Sequence, residues 1–182
     1  EPRPKRRTTG NQDQPYYNAD GSQDASVWCP VDPVARSATW EFIAGSHRGP
    51  WYMPRTFLDD EAKWFPDGAL AELPDFDNEP DRWKILGWEL EPGDAVFFNM
   101  LTVHGSGGVS GANRRRVLSV RYLGDDMVHA PRHWTTSPPF DGLDAEIPEG
   151  VPMDHPLFPM LWTRSDGPVS STHLTLPTTS PV

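Results

Sequence analysis

The chain has 182 residues, of which 36% are hydrophobic, so it can bury the core of one domain and is too apolar for intrinsic disorder. Its formal net charge of -10 argues against nucleic-acid binding, because phosphate contacts need a basic surface. No apolar run approaches the roughly 20 residues of a membrane span, which argues against a membrane partner. Cys29 is the only cysteine, so no disulfide can form within the chain, and we expect a soluble, cytoplasmic protein.

The first patterned stretch is residues 11–21, which we interpret as a strand that ends in a turn. The period of two in a strand places Asn11 and Asp13 on the same face. A strand can supply two metal ligands in this way, since both side chains aim at one point. An isolated pair of this kind is also common at an exposed strand end, so its neighbours decide between the two interpretations.

The 21 prolines and 15 glycines favour many turns and short strands over a helical bundle. Further strands are predicted over residues 26–31 and 39–44, each followed by a turn signal, and over residues 83–90. Between them, residues 51–82 carry several prolines and acidic side chains. We interpret that region as a solvated insertion with one short helix over residues 59–65.

The pattern is densest in the stretch PGDAVFFNMLTVHGSGGVSGANRRRVLSVRYLGDD, residues 92–126. It predicts a strand over residues 94–100, then His104, then a glycine-rich loop whose backbone can approach a ligand closely. A second strand is predicted over residues 116–123. Its period of two gives one face four side chains: Arg115, Val117, Ser119 and Arg121. The histidine and the arginines therefore straddle a hairpin.

Beyond Asp126, few strand signals remain. Residues up to 162 are expected to wrap the core as extended loop, and the three histidines of this region lack the mutual spacing of a metal site, which favours surface or packing roles for His129, His133 and His155. Residues 163–182 are rich in serine, threonine and proline, and we expect a disordered or non-native tail.

Residues 92–126 resemble the phytanoyl-CoA dioxygenase family, which are non-haem Fe(II)- and 2-oxoglutarate-dependent oxygenases built on a double-stranded β-helix. NQDQPYYNADG at residues 11–21 resembles the HxD segment of that family, and GSHRG at residues 45–49 resembles the loop after its next strands. The resemblance implies an all-β core, jelly-roll and cupin-like, with short helices and long loops. In the family a substantial portion precedes the HxD segment, so residues 1–162 resemble the C-terminal part of such a domain.

The resemblance also implies an iron site. Two imidazoles and one carboxylate on a single face hold Fe(II) and leave three positions for a 2-oxo acid and O2. In this chain the matching positions are Asp13, His104 and Asn11, and Asn11 stands where the family has histidine. We rate a loop-anchoring role for His47 above metal ligation.

For the 2-oxoglutarate co-substrate, the resemblance assigns Arg115 to the distal carboxylate, because a guanidinium binds a carboxylate through two hydrogen bonds. Ser106 is placed to donate to the same carboxylate, and Trp28 matches an aromatic position beside the co-substrate. Arg121 is the next candidate if Arg115 fails. The implied reaction couples oxidative decarboxylation of 2-oxoglutarate to hydroxylation of a small organic or acyl substrate.

Two other functions stay open at this point. One is a catalytically impaired relative that acts as a binding module, which Asn11 favours. The other is a cupin-type metal enzyme that does not use 2-oxoglutarate, such as an isomerase or a sugar-modifying protein. The position of Arg115 separates them, since an arginine that faces solvent would remove the argument for the co-substrate.

Overall fold

The computed structural model describes residues 10–53, 65–66, 68–76, 78–79, 81–106 and 115–163. Three predictions fall largely outside these ranges: the helix over residues 59–65, the glycine-rich loop beyond Ser106 and the tail after residue 163. Among the described residues, no helix has the length and apolar character needed to cross a membrane.

Short strands dominate the described part of the chain. In chain order they are β1 (Ala19–Asp20), β2 (Asp24–Pro30), β3 (Trp40–Ile43), β4 (Ile85–Leu86), β5 (Val96–Phe98), β6 (His104–Ser106), β7 (Val117–Leu123) and β8 (Val128–His129). The helices are single turns: two 3-10 helices, Gln14–Tyr16 and Ser46–Arg48, and the α-helix α1, Leu143–Glu146.

The strands form two antiparallel three-stranded sheets, in the orders β5-β2-β7 and β4-β3-β6, and one β1-β8 pair. The two larger sheets face each other across an aromatic core. Trp28 of β2 stacks on Trp40 of β3 with ring centroids 5.2 Å apart, and Phe98 of β5 packs on Phe42 of β3 at 4.8 Å. The architecture is a double-stranded β-helix, as the sequence predicts.

The alternation in β7 shows why that strand forms. Leu118 and Tyr122 point outward and are exposed, whereas Val117 and Arg121 on the other face are partly buried. Seven consecutive residue pairs join β7 to β2, from Asp24 opposite Leu123 to Pro30 opposite Val117. The predicted strand over residues 116–123 and its two faces are therefore confirmed.

The prediction of a strand over residues 11–21 is wrong. Asn11 forms an isolated antiparallel bridge with His104, but Asp13 already has helical angles, with φ of -79° and ψ of -43°. The 3-10 helix Gln14–Tyr16 follows, and Pro15 within it has a fixed φ that suits a helical turn. The extended conformation therefore ends at Asp13.

Other predicted strands are present with shifted bounds. The run over residues 83–90 forms only the strand Ile85–Leu86, which pairs with Phe42 and Ile43 of β3, whereas Leu90 forms an isolated bridge with Val34. Residues 94–100, 26–31 and 39–44 become β5, β2 and β3 with bounds that differ by one or two residues. The region after Asp126 is mostly loop, as expected, apart from β8 and α1.

Candidate active site

Asp13 and His104 converge in the core although they are far apart in sequence. Mutual backbone hydrogen bonds of 2.9 Å join Asn11 to His104, and the Asp13 amide donates to the Met100 carbonyl at 2.7 Å. These bonds hold the N-terminal segment against the entrance of β6. His104 Nε2 lies 3.5 Å from Asp13 Oδ1, and both residues are buried. The expected convergence of these two side chains is confirmed.

The hydrogen bonding of His104 fixes its tautomer. Nδ1 lies 2.9 Å from the carbonyl oxygen of Thr102, and because a carbonyl can only accept, Nδ1 carries the proton. Burial lowers the pKa of His104 below its ordinary value, which favours the neutral ring. Trp40 stacks on that ring at 4.8 Å between centroids. The Nε2 lone pair therefore faces Asp13, which is the arrangement that metal-binding histidines adopt.

Asn11 lies on the same face as His104. The two residues form a directly opposed, hydrogen-bonded pair, and the side chains of such a pair project from the same side of the ladder. In the described part of the chain, no group of three His, Cys, Asp or Glu side chains is placed to hold a metal ion. His47 therefore does not complete a group with Asp13 and His104, and within the described residues the Asn11 amide is a neutral donor that can serve as a third ligand.

Two of the three predicted ligands, Asp13 and His104, are placed to bind one metal ion. Metal bonds to imidazole nitrogen and carboxylate oxygen are about 2.1 Å long, so donors 3.5 Å apart can share one ion. A lone pair and a carboxylate oxygen at that separation also repel each other unless a cation lies between them. Asp13 and His104 are thus arranged for a cation, and Asn11 is the weaker donor.

The second oxygen of Asp13 has partners that the sequence did not reveal. Oδ2 accepts a hydrogen bond of 2.6 Å from Ser26 Oγ and lies 2.9 Å from Nη2 of Arg121. Ser26 and Arg121 are opposite each other in the β2–β7 register. Strand parity placed Arg121 on the inner face, but Ser26 carried no signal of its own.

Arg115 meets the other two residues predicted for the co-substrate. Its Nη1 donates to the Ala38 carbonyl and, at 3.3 Å, to Ser106 Oγ. Its guanidinium carbon lies 6.0 Å from the centroid of the Trp28 ring. Burial lowers the pKa of Arg115, although an arginine stays charged at any physiological pH. The neighbouring Arg116 is exposed and pairs with Asp32 at 2.7 Å, so the two side chains point to opposite sides.

The spacing between the two clusters is set by β6. His104 and Ser106 are two residues apart on one strand, so their side chains share a face and lie about 6.6 Å apart along it. One end of this face presents the Asp13–His104 donors and the other presents Arg115 with Ser106. A short linear dicarboxylate spans such a distance.

A cavity of about 290 Å³ lies elsewhere, with Asn18, Arg132, Trp134 and Asp144 among its lining residues. None of the six predicted site residues lines it. The sequence gives no signal for this cavity, because its walls come mostly from loops, with Asp144 of the single-turn helix α1.

Comparisons with known proteins were made for the sequence and for the fold. The family model described as Phytanoyl-CoA dioxygenase (PhyH) matches residues 1–117. A protein of Caenorhabditis elegans named "Probable phytanoyl-CoA dioxygenase" is 28% identical over 106 residues, which cover 56% of this chain and 31% of that protein. The chain thus spans about a third of that relative.

Two enzymes from nogalamycin biosynthesis share the fold. The non-heme alpha ketoglutarate dependent carbocyclase SnoK aligns with a TM-score of 0.56 at 18% identity, covering 84% of this chain and 55% of SnoK. The epimerase SnoN aligns with a TM-score of 0.56 at 21% identity, covering 86% and 57%. A structure of SnoN in complex with Fe3+, alpha ketoglutarate and nogalamycin RO aligns at 0.50 and 21% identity, covering 72% and 47%.

Proposed function

The chain belongs to the phytanoyl-CoA dioxygenase family, and from this premise we propose that it is an Fe(II)- and 2-oxoglutarate-dependent dioxygenase that hydroxylates a small organic or acyl substrate. The observation that carries the proposal is the spacing on β6. A cation site at His104 and an arginine-serine pair at Ser106 lie one strand period apart, which suits a five-carbon dicarboxylate bound at both ends.

The residues of the metal end would hold the iron. Asp13 Oδ1 and His104 Nε2 supply a carboxylate and an imidazole, and Asn11 supplies an amide oxygen from the same face. Bound Fe(II) supplies the oxidation of 2-oxoglutarate by O2 and the hydroxylation that follows. The protein binds the iron and the co-substrate, orients them and excludes water from the site.

The residues of the anion end would bind the distal carboxylate of 2-oxoglutarate. Arg115 offers a charged fork of donors, and Ser106 Oγ adds a hydroxyl beside it. Trp28 is 2% exposed and forms the wall next to this position. The aromatic layer of Trp28, Trp40 and Phe98 keeps water from the co-substrate, which strengthens its charged hydrogen bonds.

A binding module is the second candidate, and Asn11 is the observation that favours it. A neutral amide oxygen suits Fe(II) less well than imidazole nitrogen does. Such a protein would keep the site around Arg115 and bind 2-oxoglutarate without turning it over.

The test is to titrate Fe(II) and measure succinate formation in the parent and in Asn11→His. Losing a hydrogen-bond partner of a metal ligand costs roughly 10- to 100-fold in metal affinity, so we expect gaining an imidazole ligand to raise Fe(II) affinity at least about 10-fold and to raise succinate formation with it. Asn11→Gln is the matched control, because it keeps an amide and should gain neither.

Two outcomes would change the proposal. If the parent binds iron and forms succinate as well as Asn11→His does, the ligand assigned at position 11 is wrong, and His47 is the next residue to substitute. If 2-oxoglutarate binds but neither protein forms succinate, the binding module replaces the enzyme.

A further inference from the structure

The two oxygens of the Asp13 carboxylate have separate surroundings. Oδ1 faces His104 Nε2 at 3.5 Å, whereas Oδ2 accepts from Ser26 Oγ at 2.6 Å and pairs with Arg121 Nη2 at 2.9 Å. Neither donor to Oδ2 covers Oδ1. One oxygen is therefore held by the protein while the other stays turned toward the imidazole.

The register of the β2–β7 pair places the two donors to Asp13 Oδ2 side by side. Ser26 of β2 and Arg121 of β7 are directly opposed, so their side chains leave the sheet on the same inner face. Arg121 is further fixed by a hydrogen bond from Nη1 to Ser119 Oγ, two residues earlier on the same face. The guanidinium is thus oriented before any ligand arrives.

Arg121 also provides the charge that Asp13 needs. The Asp13 side chain is 7% exposed and that of Arg121 19%, and an unpaired carboxylate buried to this degree would destabilise the fold strongly. Because the pair forms through Oδ2, the counter-charge is supplied without occupying the oxygen that faces His104. Arg115, on the same face of β7, contacts Ala38 and Ser106 instead and takes no part in this arrangement.

We propose that Arg121 is a positioning residue for the metal centre: it holds Asp13 by Oδ2 so that Oδ1 is presented, together with His104, to the metal ion. This inference rests on the proposed function, since it assumes that Asp13 and His104 bind the iron. It gives Arg121 of β7 a role distinct from that of Arg115, which lies two residues before that strand, so the two arginines serve the two ends of the site.

The test is the affinity for Co(II) alone, measured by calorimetry without co-substrate, in the parent and in Asn11→His. In each background Arg121→Met keeps an unbranched side chain that covers the aliphatic part of the arginine but removes its charge and donors. We expect the Kd for Co(II) to rise roughly 10- to 100-fold, which is the usual cost of losing a partner of a ligating carboxylate. Arg116→Met is the matched control, because it removes an exposed ion pair beside the same strand and should leave the Kd unchanged.

Two further variants separate positioning from folding. Arg121→Lys keeps the charge and one donor to Oδ2, so it should recover part of the lost affinity. Ser26→Ala removes the other donor to the same oxygen and should weaken Co(II) binding even if Arg121→Met does not fold. In Asp13→Ala, adding Arg121→Met should weaken Co(II) binding no further, because Arg121 acts through Asp13.

The possible failures are distinct. If Arg121→Met is folded and binds Co(II) as tightly as its background, the positioning role is wrong and the proposed function stands. The same holds if Co(II) capacity falls only in proportion to the folded fraction, or if Ser26→Ala and Arg121→Met both leave the Kd unchanged. If neither background binds Co(II), the metal assignment fails, and the role of Arg121 fails with it.

Discussion

His104 and His129 are the two most buried histidines of the described residues, at 3% and 0% exposure, and each points its Nε2 at an aspartate. The distance from Nε2 to the aspartate oxygen differs between the two pairs. His129 Nε2 lies 3.0 Å from Asp144 Oδ1, which is a hydrogen bond, whereas His104 Nε2 lies 3.5 Å from Asp13 Oδ1, which is too long for a good one. The same pair of residue types is therefore used in two ways.

The tautomers of the two rings are opposite. His104 donates from Nδ1 to a carbonyl and leaves Nε2 as a lone pair. His129 Nε2 lies 3.0 Å from Asp144 Oδ1 and 3.3 Å from Asn18 Nδ2, and because the carboxylate can only accept, Nε2 carries the proton and the Asn18 amide nitrogen does not donate to it. The buried Nδ1 then has no partner among the described residues. The carboxylates differ as well: the Asp13 side chain is 7% exposed and held at Oδ2, while that of Asp144 is 66% exposed on the short helix α1. A held carboxylate and a presented lone pair make a metal-type pair, and His129 lacks both.

The largest expected difference between the two histidine–aspartate pairs appears when each aspartate is removed in turn. Asp13→Ala should weaken Co(II) binding at least about 100-fold, because it deletes a ligand rather than a partner of one. Asp144→Ala should leave the Kd for Co(II) unchanged, and because it leaves the buried Nε2–H of His129 without its acceptor it should cost about 1 to 3 kcal/mol of stability. Calorimetry with Co(II) and thermal denaturation measure the two effects.

Equal losses of Co(II) affinity in the two variants would mean that both histidines belong to metal-type pairs. A loss confined to Asp144→Ala would place the metal at His129, beside the cavity lined by Asn18 and Asp144. Either result would overturn the distinction drawn from the tautomers.

The next effect tests the co-substrate end of the site. Arg115→Ala should weaken 2-oxoglutarate binding by roughly 1.5 to 3 kcal/mol, the range for hydrogen bonds to charged groups, and should leave the affinity for Co(II) nearly unchanged. Arg116→Ala is the control, because its side chain points to Asp32 at the surface. The measurement is calorimetry with 2-oxoglutarate on the Co(II)-loaded protein.

If Arg115→Ala and the parent bind 2-oxoglutarate equally, Arg115 is not the co-substrate residue. A matching loss in Arg121→Ala would then transfer that role to Arg121. Arg121, which is paired with Asp13, would in that case bind 2-oxoglutarate. The assignment of Arg115 to the co-substrate and of Arg121 to the metal centre would then be wrong.

The parts of the site that the sequence predicted depend on local period and on motif spacing. The alternation in β7 placed Arg115 and Arg121 on one inner face before any contact was known, because side-chain direction in a strand follows from position alone. The family motifs paired Asp13 with His104, and the structure brings their side chains together. Both inferences needed no knowledge of how the sheets pack.

The parts that it missed depend on register and on long-range pairing. Parity gives the face of Arg121, but its partner is set by the register that places it opposite Ser26. The turn at Asp13 replaces a predicted strand, because the backbone hydrogen bond to Met100 and the following proline decide the local conformation. His129 is buried because β8 pairs with β1, in which its partner Ala19 is far away in the sequence. The residues next to His129 in the sequence do not indicate that pairing.

The smallest expected effect concerns Asp24, a third partly buried carboxyl, which differs from Asp13 and Asp144 because it forms no salt bridge within the described part of the chain. Its Oδ1 accepts from the Met100 amide at 2.6 Å, and its Oδ2 is buried without a described partner. Burial raises the pKa of Asp24 above its ordinary 3.8 and, with the nearby Asp126 and Asp13 carboxylates, outweighs the lowering by the Met100 hydrogen bond and by His47. The folded state therefore holds this proton more tightly than the unfolded state does.

The sign of the pH dependence follows from that difference. As pH rises from about 3.8 through the raised pKa, the parent loses stability that Asp24→Asn keeps, so the Tm of Asp24→Asn should gain on the parent and then level off toward neutral pH. Asp126→Asn gives the opposite slope: hydrogen bonds from Ser22 and Gln23 lower the pKa of Asp126, so its carboxylate stabilises the fold above the ordinary pKa and loses that effect as pH falls. Thermal denaturation of the metal-free proteins between about pH 2 and 7 measures both differences, the Asp126 effect below the ordinary pKa of 3.8 and the Asp24 effect above it. If Asp24→Asn follows the parent at every pH while Asp126→Asn diverges, the Asp24 carboxyl is solvated, and its burial without a salt bridge has no energetic consequence for the fold.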